Sequence, residues 1–356
     1  MNTKTIAGST PAIVSAMAPD QTIKLSPRVG ENRFFGTKTH NSGNATEVLV
    51  NYKDQFMETQ QHICENSELL KSTQQSVSLT ERIEEGFVSG KNPRSETSEV
   101  SFEESFTVDS TCNYSVKGFH TAVLNFANPF EPGGGVVGGA DGQEESLCRV
   151  SNLYNCLASR NAAPFYEFHK RIRTANGESE LFLGSDQVLY SPDIVLFPEK
   201  GTGETDTYSN RAWVKVDVIS CSAPLFTNRN AILPLGDLEH LFIRRIRNTM
   251  EVAIEHEVDV LILGAFGCGA FMNPPQVVAK AFRSVLLEER YRHAFRHVVF
   301  AVATNCGGID LSQEKTVPTW ILLQRWTVDV FRKAFAMFPL LADSPGTADM
   351  TASLQL

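Results

Sequence analysis

The sequence predicts an α/β/α sandwich on a mixed, mostly parallel sheet, with an N-terminal helical extension. Two observations carry this reading. From about residue 109 onward, short and nearly continuous apolar runs alternate with longer segments of helical period, as strands buried on both faces require. Two glycine-rich stretches, GGGVVGGADG at 133–142 and GAFGCGA at 264–270, come soon after such runs. Open α/β sheets place their ligand loops there, beyond the carboxyl ends of strands.

Taken in order, residues 1–40 are rich in Ser, Thr, Pro, Asn and Gly and are expected to be disordered. Residues 44–71 read as one helix, with Val48, Tyr52, Phe56 and Ile63 roughly on one face, packed against the main domain. The polar stretch 72–110, with its acidic cluster Glu96, Glu99, Glu103 and Glu104, reads as a solvated linker to about Glu99 and then an edge strand. The organisation is therefore a disordered segment (1–40), an accessory helical region and linker (41–108), a main domain (109–340) and a tail (341–356).

Within the main domain, residues 122–128 are the first strong strand and 145–160 a helix with apolar residues at helical spacing. Residues 161–190 are mixed; their basic set His169, Lys170, Arg171 and Arg173 reads as a solvated face. Strands follow at 193–197 and 213–221, separated by a loop at 199–210. A helix at about 237–256 carries Arg244, Arg245 and Arg247 as an exposed basic face. A buried strand at 258–263 leads into the second glycine stretch. The next helix starts at Asn273-Pro274-Pro275, with Asn as N-cap and Pro in the first turn, and runs to about 289. The last strand is 297–303. A helix at 318–338 carries Trp320, Leu323, Trp326, Phe331 and Phe335, assigned to the core rather than to a cofactor site.

Composition excludes several classes. Hydrophobic residues make up 42% of 356, enough for a sizeable core. No apolar run reaches the ~20 residues needed to span a bilayer, and the first twenty residues lack the pattern of a secretory signal. Seven scattered cysteines with no CxxC pair suit reduced thiols in a cytoplasmic or nuclear protein, and argue against a disulfide framework or a zinc site. A formal net charge of −9 gives no general nucleic-acid groove. It leaves room for a polyanionic ligand held by backbone N–H groups.

Gly133, Gly134, Gly135, Gly138 and Gly139 place five glycines in seven residues. Such a backbone takes positive φ and lets a ligand approach its N–H groups. Both flanks read as buried elements, which favours a binding loop over a flexible linker. Glu144 and Glu145 follow at the start of a helix. As sequence neighbours they point in different directions, unlike the paired carboxylates that flank a bond in ordinary glycosidases. On the residues alone, two solvated acids in a first helical turn is an equally open reading. Asn125 and Asn128, at the end of the first strand, read equally as ligand contacts and as turn residues. The second stretch is neither a Walker loop nor a convincing dinucleotide fingerprint, yet it can cradle an anion.

GGG, a short spacer and QEE at 143–145 resemble the signature of poly(ADP-ribose) glycohydrolases, most of all the microbial-type branch. The similarity continues through QEESLCRVSNLY, VISCSAP at 218–224 and LILGAFGCGAFMNPP at 261–275. It covers about residues 110–305, with no trace in the first hundred. The resemblance implies a macrodomain that hydrolyses ribose–ribose O-glycosidic bonds of poly(ADP-ribose) from the chain end and releases ADP-ribose, without metal or cofactor. Glu145 then carries over as general acid/base and Glu144 as the residue that fixes the ribose hydroxyls, with Gln143 orienting Glu145 or the loop. Glu145 must start protonated, a state favoured by a partly dry cleft and disfavoured by a helix N-terminus.

Gly133, Gly134 and Gly135 carry over as substrate-binding positions. Gly264, Ala265, Gly267, Cys268, Gly269 and Ala270 hold the diphosphate. Phe271 orders the ribose beside the reacting bond, although on sequence alone it is equally a core residue. Asn125 and Asn128 contact adenine or ribose; the family often has Ser at the position of Asn128. Implied partners are poly(ADP-ribose) or ADP-ribosylated proteins, with no membrane and no sequence-specific nucleic acid, for a monomer that reverses ADP-ribosylation in the DNA damage response. The competing readings are an ADP-ribose reader without chemistry and a mono(ADP-ribosyl) hydrolase. The N-terminal hundred residues could cap the adenosine side of the cleft.

Overall fold

The computed structural model describes residues 51–94, 96–175, 181–197, 213–226, 234–304, 319–336 and 338. The expectations for 1–40, the loop 199–210, Cys306 and the tail 341–356 lie outside these residues.

The chain opens with two helices, α1 (Tyr52–Glu65) and α2 (Ser67–Leu79), where the sequence reading has one. Asn66 is the reason. Its backbone is extended, and its side-chain oxygen accepts from the N–H groups of Glu68 (3.1 Å) and Leu69 (3.0 Å). It thus ends one helix and caps the next. The stretch expected to be a solvated linker is docked instead. It includes an edge strand β1 (Glu81–Ile83), and the N–H groups of Phe87 and Ser89 donate to Asn248 Oδ1 (3.0 Å) and Glu251 Oε2 (2.9 Å). The other edge strand, β2 (Glu99–Glu103), follows, so residues ahead of the expected boundary at 109 already belong to the sheet.

After α3 (Thr107–Ser115) comes the central strand β3 (Thr121–Phe126). The segment expected as one helix at 145–160 is α4 (Gln143–Arg149) and α5 (Leu153–Leu157), with α6 (Ala163–Ala175) behind them. Next are β4 (Leu181–Phe182), β5 (Val188–Leu196), β6 (Val214–Cys221) and β7 (Leu225–Phe226). The chain continues through α7 (Leu235–Glu255), β8 (Val260–Leu263), α8 (Pro275–Leu286), α9 (Glu289–Arg292), β9 (His297–Ala301) and α10 (Thr319–Phe335).

The main sheet has seven strands in the order β1-β5-β6-β3-β8-β9-β2. The pairings β6–β3, β3–β8, β8–β9 and β9–β2 are parallel, and β1–β5 and β5–β6 are antiparallel. Neighbouring residues on β3 bury in opposite layers. Leu124 joins Phe242, Ile246, Phe282, Phe300 and Phe335 on one side; Val123 joins Leu147, Phe165, Leu189 and Ile262 on the other. The two-sided core explains why the strands read as continuous apolar runs and gives the α/β/α sandwich.

Several surface assignments are corrected. Arg245 is fully buried. Its guanidinium pairs with Asp186 (3.3 Å), donates to Ser222 O (2.8 Å) and reaches Leu183 O. Arg244 and Arg247 are exposed, as expected, and pair with Asp186 and Glu288. His169 is buried between Phe165 O (2.8 Å) and Ser185 Oγ (2.9 Å), and burial pushes its ring down to about 4, so it is neutral. On α10, Phe331 and Phe335 are core, but Trp320 and Trp326 are about two-fifths exposed, at 40% and 42%. Asn273 does not cap α8. Its amide donates to Pro224 O (2.7 Å) and Gly267 O (3.0 Å).

The Arg245 hub ties α7 to the ends of β4 and β6. Replacing Arg245 by Met strips the buried carbonyls of Ser222 and Leu183 of their donor, and is expected to cost about 3 kcal/mol in a urea unfolding titration.

Candidate active site

The site is set by a gap in the sheet. β3 stays paired with β6 as far as Phe126↔Cys221, but its pairing with β8 ends at Val123↔Ile262. Beyond that point the two parallel strands diverge, and β3 is left with an unpaired edge. Gln143 fills it. Its Nε2 donates to Leu124 O (2.8 Å) and its Oε1 accepts from Phe126 N (2.9 Å), the two backbone groups a neighbouring strand would have used. The first turn of α4 is thereby pinned into the opening between β3 and β8.

That anchor sends the next two residues to different places. Glu144 enters the protein at 3% exposure. Its Oε2 accepts the N–H of Asn128 (2.8 Å), and its Oε1 accepts from Asn125 Nδ2 (3.3 Å). Burial pushes the Glu144 carboxyl up to about 8; the charge of Glu145 adds to this, and the N–H donors oppose it. Glu145 stays half-buried over the glycine loop, where its Oε1 accepts the N–H of Gly135 (2.9 Å).

The glycines are required by these carboxylates. Gly133 and Gly134 have φ of +68° and +59°, which L side chains rarely adopt. A Cβ on Gly134 or on Gly142 would overlap the Glu145 carboxylate. A Cβ on Gly135 would press on Ala140 at 2.7 Å, and one on Gly133 on the Tyr154 ring at 2.8 Å. The loop is therefore folded tightly around the two acids, with a 3₁₀ turn at Val136–Gly138, and is no flexible linker.

The two asparagines are placed as braces. Asn125 is fully buried, with its amide also donating to Ser220 Oγ (3.0 Å), so it reaches the cleft only through Glu144. The side-chain oxygen of Asn128 accepts from the N–H groups of Phe130 (2.8 Å) and Glu131 (3.0 Å), an Asx-type turn. Its backbone N–H holds Glu144.

The second loop lies beyond β8, beside the first. Phe126 joins them, with its ring 5.5 Å from that of Phe266 and 3.1 Å from a Cβ built on Gly264. Gly267 has φ +73°, and a side chain there would overlap Ala223 of the segment after β6. Gly269 has open space above it, and Gly269 and Ala270 are exposed. Cys268 is buried and its thiol pushed far up, so it contributes packing and no thiolate. Phe271 is partly buried against the core. Among the described residues no cluster of acids, His or Cys could hold a metal ion.

The sequence reading missed Gly142, Ser220 and Arg149. Gly142 stands directly ahead of QEE, and that adjacency was the available signal; its tightness against Glu145 shows only in the structure. Arg149 is buried at 3% exposure and bonds the loop at Ala140 and Asp141.

Residues 44–199 match the family model of the microbial-type PARG catalytic domain, so the match begins well ahead of residue 110 and takes in α1 and α2, which carry no motif. No curated protein matches the chain. Among solved structures, the chain is similar in fold to poly(ADP-ribose) glycohydrolase from Thermomonospora curvata, at 24% identity and TM-score 0.63, over 80% of this chain and 99% of that one. The same enzyme bound to the inhibitor ADP-HPD matches at 25% identity, TM-score 0.62 and the same coverage. Poly(ADP-ribose) glycohydrolase from Deinococcus radiodurans in complex with ADP-ribose matches at 29% identity and TM-score 0.59, over 75% of this chain and 98% of that one.

The buried acid has a measurable signature. The Glu144 carboxyl is raised in the folded state, from 4.5 to about 8, so the folded protein holds a proton the unfolded chain has lost. The contribution of Glu144 to stability falls as pH rises through that window and is fully lost above it. Urea midpoints measured from pH 5 to pH 9 should decline more steeply in the wild type than in Glu144→Gln.

Proposed function

With residues 44–199 belonging to the microbial-type PARG catalytic-domain family, we propose that the chain is a glycosidase that hydrolyses ribose–ribose bonds of poly(ADP-ribose) and releases ADP-ribose, with Glu145 as its general acid/base. The observation that carries the assignment of Glu145 is its carboxylate, half-buried over a glycine wall with Gly135 N–H on one oxygen (2.9 Å).

The reaction follows from that placement. The terminal ribose lies against Gly133, Gly134 and Gly135, with its hydroxyls oriented by Glu144. The diphosphate lies along the second loop, on the exposed backbone of Gly269 and Ala270, with Phe271 beside the ribose. Glu145 gives its proton to the departing ribose oxygen as the glycosidic C–O bond breaks. It then takes a proton from the water that attacks the anomeric carbon, so the carboxyl is restored. The substrate's own diphosphate offsets the positive charge that develops on the sugar. Asn125, Asn128 and Gln143 act behind the acids: the first two on Glu144, the third on the backbone that carries both.

No described helix is long and apolar enough to cross a membrane, and the free cysteines fit a reducing compartment. We place the chain's action inside the cell, as a monomer on ADP-ribosylated protein. A link to the DNA damage response rests on the substrate class alone.

Release of free ADP-ribose from poly(ADP-ribose) without added metal tests this. Glu145→Gln keeps the size and loses the proton, and should lower the rate by about 10²–10⁴-fold while ADP-ribose binding persists. ADP-ribose as the sole early product marks attack at the chain end; oligomers mark internal attack. A wild type that binds ADP-ribose but releases none is a reader.

A further inference from the structure

The glycine loop is held from behind by an element that shares no motif with it. Arg149, at the end of α4, is buried. Its Nη1 donates to Ala140 O (2.8 Å), and its Nη2 donates to Asp141 Oδ1 (2.8 Å) and Ser146 Oγ (2.8 Å). The guanidinium carbon lies 4.1 Å from the centroid of the Tyr52 ring, in the first turn of α1. Both Nη groups are thus used while the buried Nε has no hydrogen-bond partner among the described residues, and a ring face is worth more to a guanidinium out of water. Tyr52 thus closes the side of Arg149 that the loop leaves open.

Two further contacts seat α1, one on the loop and one on the end of α4. A Cβ on Gly139 would stand 3.3 Å from the backbone N of Lys53. Thr59 Oγ1 donates to Arg149 O (2.6 Å). The segment that Arg149 grips ends at Gly142, whose Cα forms the wall against the Glu145 carboxylate.

We propose that Tyr52 and Arg149 are positioning residues for catalysis: α1 braces residues 139–142 through the Tyr52–Arg149–Asp141 chain, and that brace sets where the Glu145 carboxylate stands. The role rests on the reading of Glu145 as general acid/base. It matters because an acid displaced by about 1 Å from its reacting atom can lose 10²-fold in rate. α1 is therefore part of the catalytic unit and no detachable cap.

The test compares the full-length wild type with Tyr52→Ala, Tyr52→Phe and Asp141→Asn. In Tyr52→Ala, kcat for ADP-ribose release should fall about ten-fold with KM changed by less than about two-fold. Amide hydrogen exchange at residues 139–143 should speed up, with the urea midpoint close to wild type. Tyr52→Phe keeps the ring over the guanidinium and should restore both rate and protection. Asp141→Asn, which weakens the ion pair and leaves the ring contact, should give an intermediate loss. Unchanged exchange in Tyr52→Ala overturns the brace, and so does faster exchange with unchanged kcat. A wild type that releases no ADP-ribose overturns the glycohydrolase reading separately; localised exchange in Tyr52→Ala then still decides whether α1 braces the loop.

Discussion

The side chain of Gln143, bonded to Leu124 O and Phe126 N, is the interaction on which the rest of the site depends. Parallel strands that diverge leave unpaired backbone groups, and such groups are costly when buried. A loop or water could satisfy them, but neither would fix the start of a helix. An amide can, because it offers a donor and an acceptor at the spacing of a strand edge. With α4 anchored at its first residue, the directions of the next two are no longer free. Glu144 must go inward under β3, and Glu145 must lie across the glycines.

The same anchor accounts for the glycine content of the first loop. Once Glu145 is fixed, positions 134 and 142 have no room for a Cβ, and position 133 is blocked by Tyr154. Positive φ at Gly133 and Gly134 then turns the chain tightly enough for Gly135 N–H to meet the carboxylate. At the second loop the crowding comes from another direction, from Ala223 after β6 and Ala301 at the end of β9. Gly134 and Gly142 make room for the Glu145 carboxylate and Gly139 for α1 at Lys53, whereas Gly264 and Gly267 allow the close approach of three strand ends. In the second loop Gly269 has nothing near it, so its backbone stays open.

Much of this was legible in the sequence because the signals were local. A continuous apolar run, a glycine cluster and QEE in succession needed no knowledge of distant contacts, and the strand-loop-helix order followed. What was not legible depends on partners far along the chain. Arg245 sits among basic residues that read as an exposed face, and only Asp186 and the carbonyls of Leu183 and Ser222 reveal that it points inward. Asn125 reads equally as a ligand contact and a turn residue, and only the structure shows its Nδ2 bonded to Glu144 and Ser220. The helices α1 and α2 carry ordinary amphipathic residues, which suffice to read packing against the main domain, but the contacts of Tyr52 and Thr59 with Arg149 and of Ser76 and Thr73 with Asp193 and Asn152 show only in the structure.

The two acids also show how one sequence motif can place neighbouring carboxyls in different environments. Neighbours on a helix differ in direction by about 100°, and here that rotation separates a buried environment from a half-open one. Glu144 gains backbone and amide donors but loses water, and burial wins, so its carboxyl is raised. A group held on both oxygens by Asn128 and Asn125 has little freedom to shuttle protons. It has the rigidity to orient a hydroxyl. Glu145 has one backbone donor and an open side, so it can meet a leaving oxygen and then a water in turn. Exchanging the two roles would require α4 to rotate by a residue, and Gln143 could then no longer complete the edge of β3.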